Sequence, residues 1–409
     1  MNFTWALSWL GTSLLIAFLL MIAWAVLYHI SCTEIPSGMS QRFQLRCLHF
    51  LLIFAFGLVN VLRKLHVCSG DGLLRFLMDG IPPLKDPQLS IKDLNFDGVP
   101  VRMYQPKSLC DGGWRGVLYF HGGVGMYGSI DAYERVCRYI AKESNSLVVS
   151  VGYRLAPEHP YPAQCEDCLT ATIYFMKNVK KYSVDPASIL VSGDSSGGTI
   201  AASVCQSLVH RSDLPKIRAQ VLIYPYLQAV DFNLPSYQRN SHVPLLFQNQ
   251  VVQFGLQYLQ KDGSLSKNIL EGSHIPQEVK IKYSKWLGPE NLPEVYKWKG
   301  YRCPQPTSDS VLPFEVMKDI LDTRLSPLLA QDAVIQQLPE AYILTCRFDV
   351  FMDDGLLYKK RLEDNGVGVT WFQLEDGFHG IVFFVNHWLF SFSGCQRGIN
   401  SIVNFIKGL

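Results

Sequence analysis

Two apolar stretches dominate the start of the chain. Residues 5–30 contain no Asp, Glu, Lys or Arg. A helix needs about 20 apolar residues to cross the hydrocarbon core of a bilayer, so this run is long enough to span. Trp5, Trp9, Trp24 and Tyr28 suit anchoring at the interfaces. A cleaved signal peptide would show a shorter apolar centre, about 7–15 residues, behind a basic start, and no Lys or Arg precedes this run. The pattern predicts an uncleaved anchor over residues 1–30. A second run, residues 47–62, is shorter and bounded by Arg46 and by Arg63 and Lys64. At 16 residues it is marginal for spanning: the helix spans, lies at the interface or covers a pocket, and the last two are the favoured readings. Arg42 and Arg46 follow the first run, which by the positive-inside rule leaves the downstream chain in the cytosol.

From about residue 98 the pattern changes. Apolar, β-branched runs occur at 115–120, 147–152, 189–192, 220–224, 342–345 and 369–374. Helix-like periods at 131–143, 164–181, 197–210 and 353–365 lie between most of them. Strands alternating with helices predict a mostly parallel sheet covered on both faces. Sites in such sheets form at the carboxyl ends of strands. Residues 230–325 fit no strand–helix repeat and carry Phe247, Phe254, Tyr258, Trp286, Trp298 and Tyr301. The expected organisation is an anchor (1–30), an apolar linker with N-terminal cap helices (31–97), and a catalytic region (98–409) with a cap insertion at about 230–325.

Composition narrows the classes. The chain has 409 residues, is 48% hydrophobic and 18% charged, and carries a net charge of +2 without a long charge run. That balance gives no electrostatic case for a nucleic-acid partner. Eleven cysteines scattered over the chain are not a disulfide framework. Cys165 and Cys168 form a C-x-x-C, but no second pair and no nearby His pair completes a zinc site. They read as helix residues one turn apart, with a single redox pair as the alternative, and no metal is expected.

The run ILVS leads into GDSSGG, residues 193–198, a G-x-S-x-G centred on Ser195. A serine on a tight strand-to-helix turn presents its hydroxyl above the sheet, and small residues two positions away on each side let the chain turn. The helix that follows offers its positive end to developing negative charge. The pattern alone is weak; its place between a strand and a helix gives it weight. Ser195 needs a base and an orienting acid, expected in the order Ser, Asp or Glu, His. Asp349 follows the strand AYILTC, and His379 sits in a glycine-bracketed loop after VTWFQLE. His379 would take the Ser195 proton and Asp349 would hold the imidazole. Asp353 and Asp354 fall where a helix begins, and Asp376 is only three residues from His379.

The stretch YFHGGVGMYG, residues 119–128, supplies the remaining part. Backbone N–H groups of an H-G-G-G-type loop, with that of the residue after the nucleophile, form an oxyanion hole. Here the expected donors are Gly122, Gly123 and Ser196. Val124 stands at the third glycine position. If that position needs positive φ, a β-branched residue distorts the loop; if it needs only closeness to the acyl group, Val124 narrows the pocket.

The motifs FHGG (120–123), YRLAPEHPYPA (153–163), GDSSGG (193–198), LIYP (222–225), SPLLA (326–330), DVFMDDG (349–355) and DGFHG (376–380) resemble the hormone-sensitive-lipase branch of α/β-hydrolases. Nearly the whole chain is similar to the arylacetamide deacetylase family, most of all to its arylacetamide deacetylase-like 4 group. The resemblance implies an α/β-hydrolase fold with a helical cap and an N-terminal transmembrane helix. It implies a serine esterase acting on apolar acyl esters or amides without a cofactor. It also implies a single-pass type II protein of the endoplasmic reticulum with a lumenal catalytic region, opposite to the charge reading. The family's triad falls on Ser195, Asp349 and His379, and its oxyanion motif on His121, Gly122 and Gly123. This chain departs at Val124 and at Ser196, where the family commonly has Gly and Ala. A family cysteine that can pair with one matching Cys346 is replaced near Met126, which implies that this disulfide is absent. The Asn2–Phe3–Thr4 sequon lies on the short side of the anchor, so no N-glycan is expected on the catalytic region. The competing expectation is a non-catalytic binder of a small apolar ligand or lipid on the same scaffold.

Overall fold

The alternating runs assemble into one eight-stranded sheet. The computed structural model describes residues 3–66, 70–80, 83, 86–108, 112–303, 317–387 and 389–409; Asn2 of the sequon lies outside them. The strands are β1 (Leu89–Phe96), β2 (Val99–Pro106), β3 (Trp114–Phe120), β4 (Leu147–Val151), β5 (Val184–Asp194), β6 (Ala219–Ile223), β7 (Glu340–Phe348) and β8 (Val369–Phe378). Their order is β1-β2-β4-β3-β5-β6-β7-β8. The β1–β2 hairpin and the β2–β4 pair are antiparallel; the other pairs are parallel. All six expected strands are present. β1 and β2 are additional, so the sheet begins at Leu89 rather than near residue 98. β1 escapes an apolar-run search because its middle is exposed and carries Lys92 and Asp93.

Side chains alternate across the sheet, as strand geometry requires. Leu118 and Phe120 of β3 join one core with Val149 and Val191; Val117 and Tyr119 join the other with Val148 and Leu190. The N-terminal helices are α1 (Phe3–Cys32), α2 (Arg42–Lys64) and α3 (Gly70–Asp79). α4 (Glu134–Ser144), α5 (Ala163–Lys177) and α6 (Ser196–Leu208) lie between strands, within one residue or so of the expected helix starts for α5 and α6. Between β6 and β7 come α7 (Pro235–Arg239), α8 (Gln248–Tyr258), α9 (Ser266–Leu270), α10 (Gln277–Leu287) and α11 (Asp332–Ile335). α12 (Met352–Asp364) and α13 (Ser393–Gly408) complete the chain. α5, α6 and α12 cover the first core, and α4 and α13 the second.

Several hydrogen bonds tie the N-terminal helices to the catalytic region. The turn after α1 is clipped by Glu34 N–H to His242 O (3.1 Å) and by Gln41 Nε2 to Ser391 O (2.8 Å). Arg75 of α3 makes a bidentate pair with Glu158 (both 2.9 Å) and donates to the carbonyls of Met126 (2.8 Å) and Ala156 (2.6 Å). The run expected at 47–62 is the longer helix α2, which buries Leu45, Leu48, Ile53 and Val59.

The cap is joined to the sheet through a buried carboxyl. Asp354 of α12 accepts from Leu227 N–H (2.9 Å), Gln228 Nε2 (3.2 Å) and Tyr237 OH (3.3 Å), all on the path from β6 into the cap. Burial raises its carboxyl to about 8 against these bonds. The folded chain therefore keeps a proton that the unfolded chain releases near the ordinary carboxylate value. That contribution to stability is fully present below the unfolded value and is lost as pH rises toward 8. We expect the denaturation midpoint of wild type to fall relative to Asp354→Asn between the two values. A constant offset over that range would contradict the assignment.

Candidate active site

The strand-to-helix turn at Ser195 is forced by its neighbours. Ser195 sits between β5 and α6 at φ 55° and ψ −123°. A Cβ on Gly193 would lie 2.2 Å from Gly197 O, and one on Gly197 would lie 2.1 Å from Phe120 O. Only glycine fits at either place, which is the physical content of the G-x-S-x-G spacing. Such backbone strain costs on the order of 1–3 kcal/mol and persists only where packing over-determines it. Here Ser195 N–H is fixed to Ile223 O (2.9 Å) on the neighbouring strand β6.

The β7–β8 register pairs Phe348 with Phe378, so the next residues, Asp349 and His379, emerge side by side. His379 Nδ1 is 2.8 Å from Asp349 Oδ2, and its Nε2 is 3.0 Å from Ser195 Oγ. Asp349 is buried, its second oxygen accepts from Phe351 N–H (2.9 Å), and its carbonyl accepts from Asn240 Nδ2 (2.8 Å). The edges of Tyr224 and Phe351 hold the imidazole, with centroids 5.2 and 5.0 Å away. An imidazole placed between a carboxylate and a hydroxyl is able to accept the hydroxyl proton and return it to a leaving group. The rival acids are engaged elsewhere. Asp353 and Asp354 face α7 and the start of the cap, and Asp376 binds Ser40 and Arg397.

The glycine loop departs from expectation. Gly122 N–H donates to Asp194 Oδ1 (2.9 Å), so it is not an open donor beside Ser195. His121 is not in the hole either. Its ring is stacked on Tyr153 (4.2 Å), and Nδ1 is 2.8 Å from Gly122 O, to which its proton donates. Burial lowers the His121 imidazole to about 4, so it is a neutral brace of the loop at neutral pH. Gly123 and Ser196 line the cavity beside Ser195. Ser196 opens α6, where an N–H has no acceptor within its own helix. Gly123 has φ 109°, and a Cβ there would lie 2.4 Å from Tyr127 O.

Val124 has φ 60°. The third position therefore needs the left-handed region, where a β-branched residue is an outlier. Val124 also borders the cavity. Its N–H donates to Ser196 Oγ (2.9 Å), a contact that alanine at that place cannot make.

Ser195 and His379 open into a cavity of about 500 Å³, within the usual range for small-molecule sites. Its walls include Leu48 and Leu52 of α2, Met78 of α3, Phe254 of α8, and Met317 and Leu325 of the cap. Cys165 and Cys168 are buried free thiols on α5. Among the described residues, no group of three or more His, Cys, Asp and Glu is placed to hold a metal.

Comparison with known proteins agrees with this fold. A family described as alpha/beta hydrolase fold matches residues 117–271 and 304–383. Human arylacetamide deacetylase-like 4 is 43% identical over 406 residues, 99% of this chain and 100% of its own length. Arylacetamide deacetylase of Bos taurus is 40% identical over 336 residues, 80% of this chain and 82% of its own. EstE1, a thermostable carboxylesterase cloned from a metagenomic library, shares the fold with a TM-score of 0.61 at 25% identity, covering 83% of this chain and 97% of that one. The chain belongs to the arylacetamide deacetylase-like family and is an esterase/deacetylase-like α/β-hydrolase.

Proposed function

We propose that this protein is a membrane-anchored serine carboxylesterase for apolar acyl esters. The observation that carries the reading is the hydrogen-bonded series Ser195–His379–Asp349 at the floor of an apolar cavity. Ser195 Oγ attacks the ester carbonyl while His379 Nε2 accepts its proton. Asp349 holds the imidazole tautomer and stabilises its cationic form. Gly123 and Ser196 N–H groups receive the oxyanion. The alcohol leaves with the proton from His379, and water activated by the same imidazole releases the acid. An ester suits this site better than an amide because its leaving group is better and the hole has only two open backbone donors. A ligand binder has no need of an imidazole held between Ser195 and Asp349.

α1 supports the anchored reading: Ser8–His29 has a mean hydropathy of 2.4 and almost none of it is covered by protein. By family resemblance we place it as a type II anchor of the endoplasmic reticulum with the catalytic region in the lumen. A sequon inserted in an exposed loop of that region is expected to be glycosylated; an unmodified loop argues for the cytosolic side.

Ser195→Ala is expected to reduce turnover of a soluble butyrate ester by at least about 10³-fold. Residual turnover above a tenth of wild type, in folded protein, would sink the esterase reading. Ser196→Ala frees Val124 N–H to serve as a third donor. Removing one such donor from a hole costs about 10²–10³ in kcat, and the strained setting of Val124 makes the gain smaller. We expect kcat to rise at least about threefold with little change in KM; a fall in kcat would show instead that the Ser196 hydroxyl aids the reaction.

A further inference from the structure

The cavity above Ser195 reaches the surface between α2 and α3. Ala55 lines it from α2 and Leu74 from α3. Phe56 and Leu77 line it too, yet are 37% and 47% exposed, so they stand at its mouth. Asp131, exposed and paired with Arg102 (2.6 Å), also borders it. Asp79, the last residue of α3, borders it as well and accepts from Ser129 Oγ. The mouth is therefore apolar along the facing sides of α2 and α3 and charged at the end of α3 and where it meets the catalytic region. A short, freely diffusing ester does not need an apolar mouth.

The position of α1 says what covers these helices. Phe18 meets Phe54 of α2 edge-on at 5.7 Å, Trp24 packs over Gly57, and His29 lies 5.2 Å from His49. These contacts run along about 17 Å of α1, more than half of a hydrocarbon core about 30 Å thick. A bilayer that covers Ser8–His29 therefore also reaches the outer side of α2. That side carries exposed Leu51 and Val61, and α3 adds exposed Phe76.

The geometry points to lateral entry: long-chain acyl esters dissolved in the membrane pass from its acyl-chain layer to Ser195 through the mouth between α2 and α3. The inference rests on the esterase reading and on α1 lying in a bilayer. It adds the substrate class and the route. The acyl chain slides past Phe56 and Leu77 and remains in apolar surroundings from the bilayer to the catalytic serine, while the charged side of the mouth admits water.

The test uses the full chain reconstituted in phosphatidylcholine vesicles. Turnover of 4-methylumbelliferyl palmitate held in the vesicles is compared with that of the soluble butyrate ester. Leu51→Asp and Phe76→Asp place a charge on the lipid-facing side, away from the cavity wall. A carboxylate in hydrocarbon is costly enough that vesicle-borne palmitate turnover is expected to fall at least about tenfold, with butyrate turnover within about twofold of wild type. Leu51→Ile and Phe76→Leu keep that side apolar and keep both activities. Undiminished palmitate turnover in the Asp variants, or equal loss of both esters, overturns lateral entry. If wild type turns over butyrate but not vesicle-borne palmitate, the route fails and the esterase reading stands. If Ser195-dependent butyrate turnover is absent, the esterase reading itself fails.

Discussion

One buried carboxylate holds the two halves of the site together. Asp194, the last residue of β5, accepts from Tyr119 OH (3.0 Å), Tyr133 OH (2.9 Å) and Gly122 N–H (2.9 Å). Burial raises its carboxyl to about 6, and these three donors oppose that shift. A buried charge without partners is costly, so the three donors are committed to it. The glycine loop is thereby pinned to the residue next to Ser195. A Cβ on Gly122 would lie 2.7 Å from Asp194 Oδ2, which explains the first glycine of the motif. With Gly122 engaged, the open donor moves one residue along, to Gly123. The bond from Val124 N–H to Ser196 Oγ forms a second strap across the same gap.

The central sheet was legible because its inner strands are buried on both faces and read as continuous apolar runs. The edge was not: β1 carries Lys92 and Asp93 toward solvent, β2 carries Arg102 paired with Asp93, Asp131 and Glu134, and their run is broken by polar positions. A signal was present in the turn Asp97–Gly98, where both residues have positive φ; Asp-Gly between two strands marks a hairpin. Ser195, Asp349 and His379 were legible because each follows a strand, and adjacent parallel strands bring their ends together. The role of Gly122 was hidden because it depends on a side chain 72 residues away. Val124 and Ser196 were each visible as departures from the family pattern, yet nothing in one sequence reveals that they touch.

The N-terminal helices α2 and α3 belong to the site, and α2 also packs against the apolar helix α1. α2 turns one face to α1 and another to the cavity, and α3 is locked by Arg75 to the carbonyl of Met126, within the glycine loop. The wall of the cavity, the loop that faces Ser195 and the apolar helix α1 are thus mechanically continuous. Burial of the α2 face depends on the catalytic region, while its outer face is suited to lipid.

The central claim is that chemistry passes through a covalent bond to Ser195. Its most direct test is to treat the full chain in membranes with a fluorophosphonate and map the adduct by mass spectrometry. The account predicts one adduct per chain, on the peptide containing Ser195, with esterase activity lost in proportion to labelling. An adduct on another residue, or activity that survives complete modification of Ser195, would contradict it.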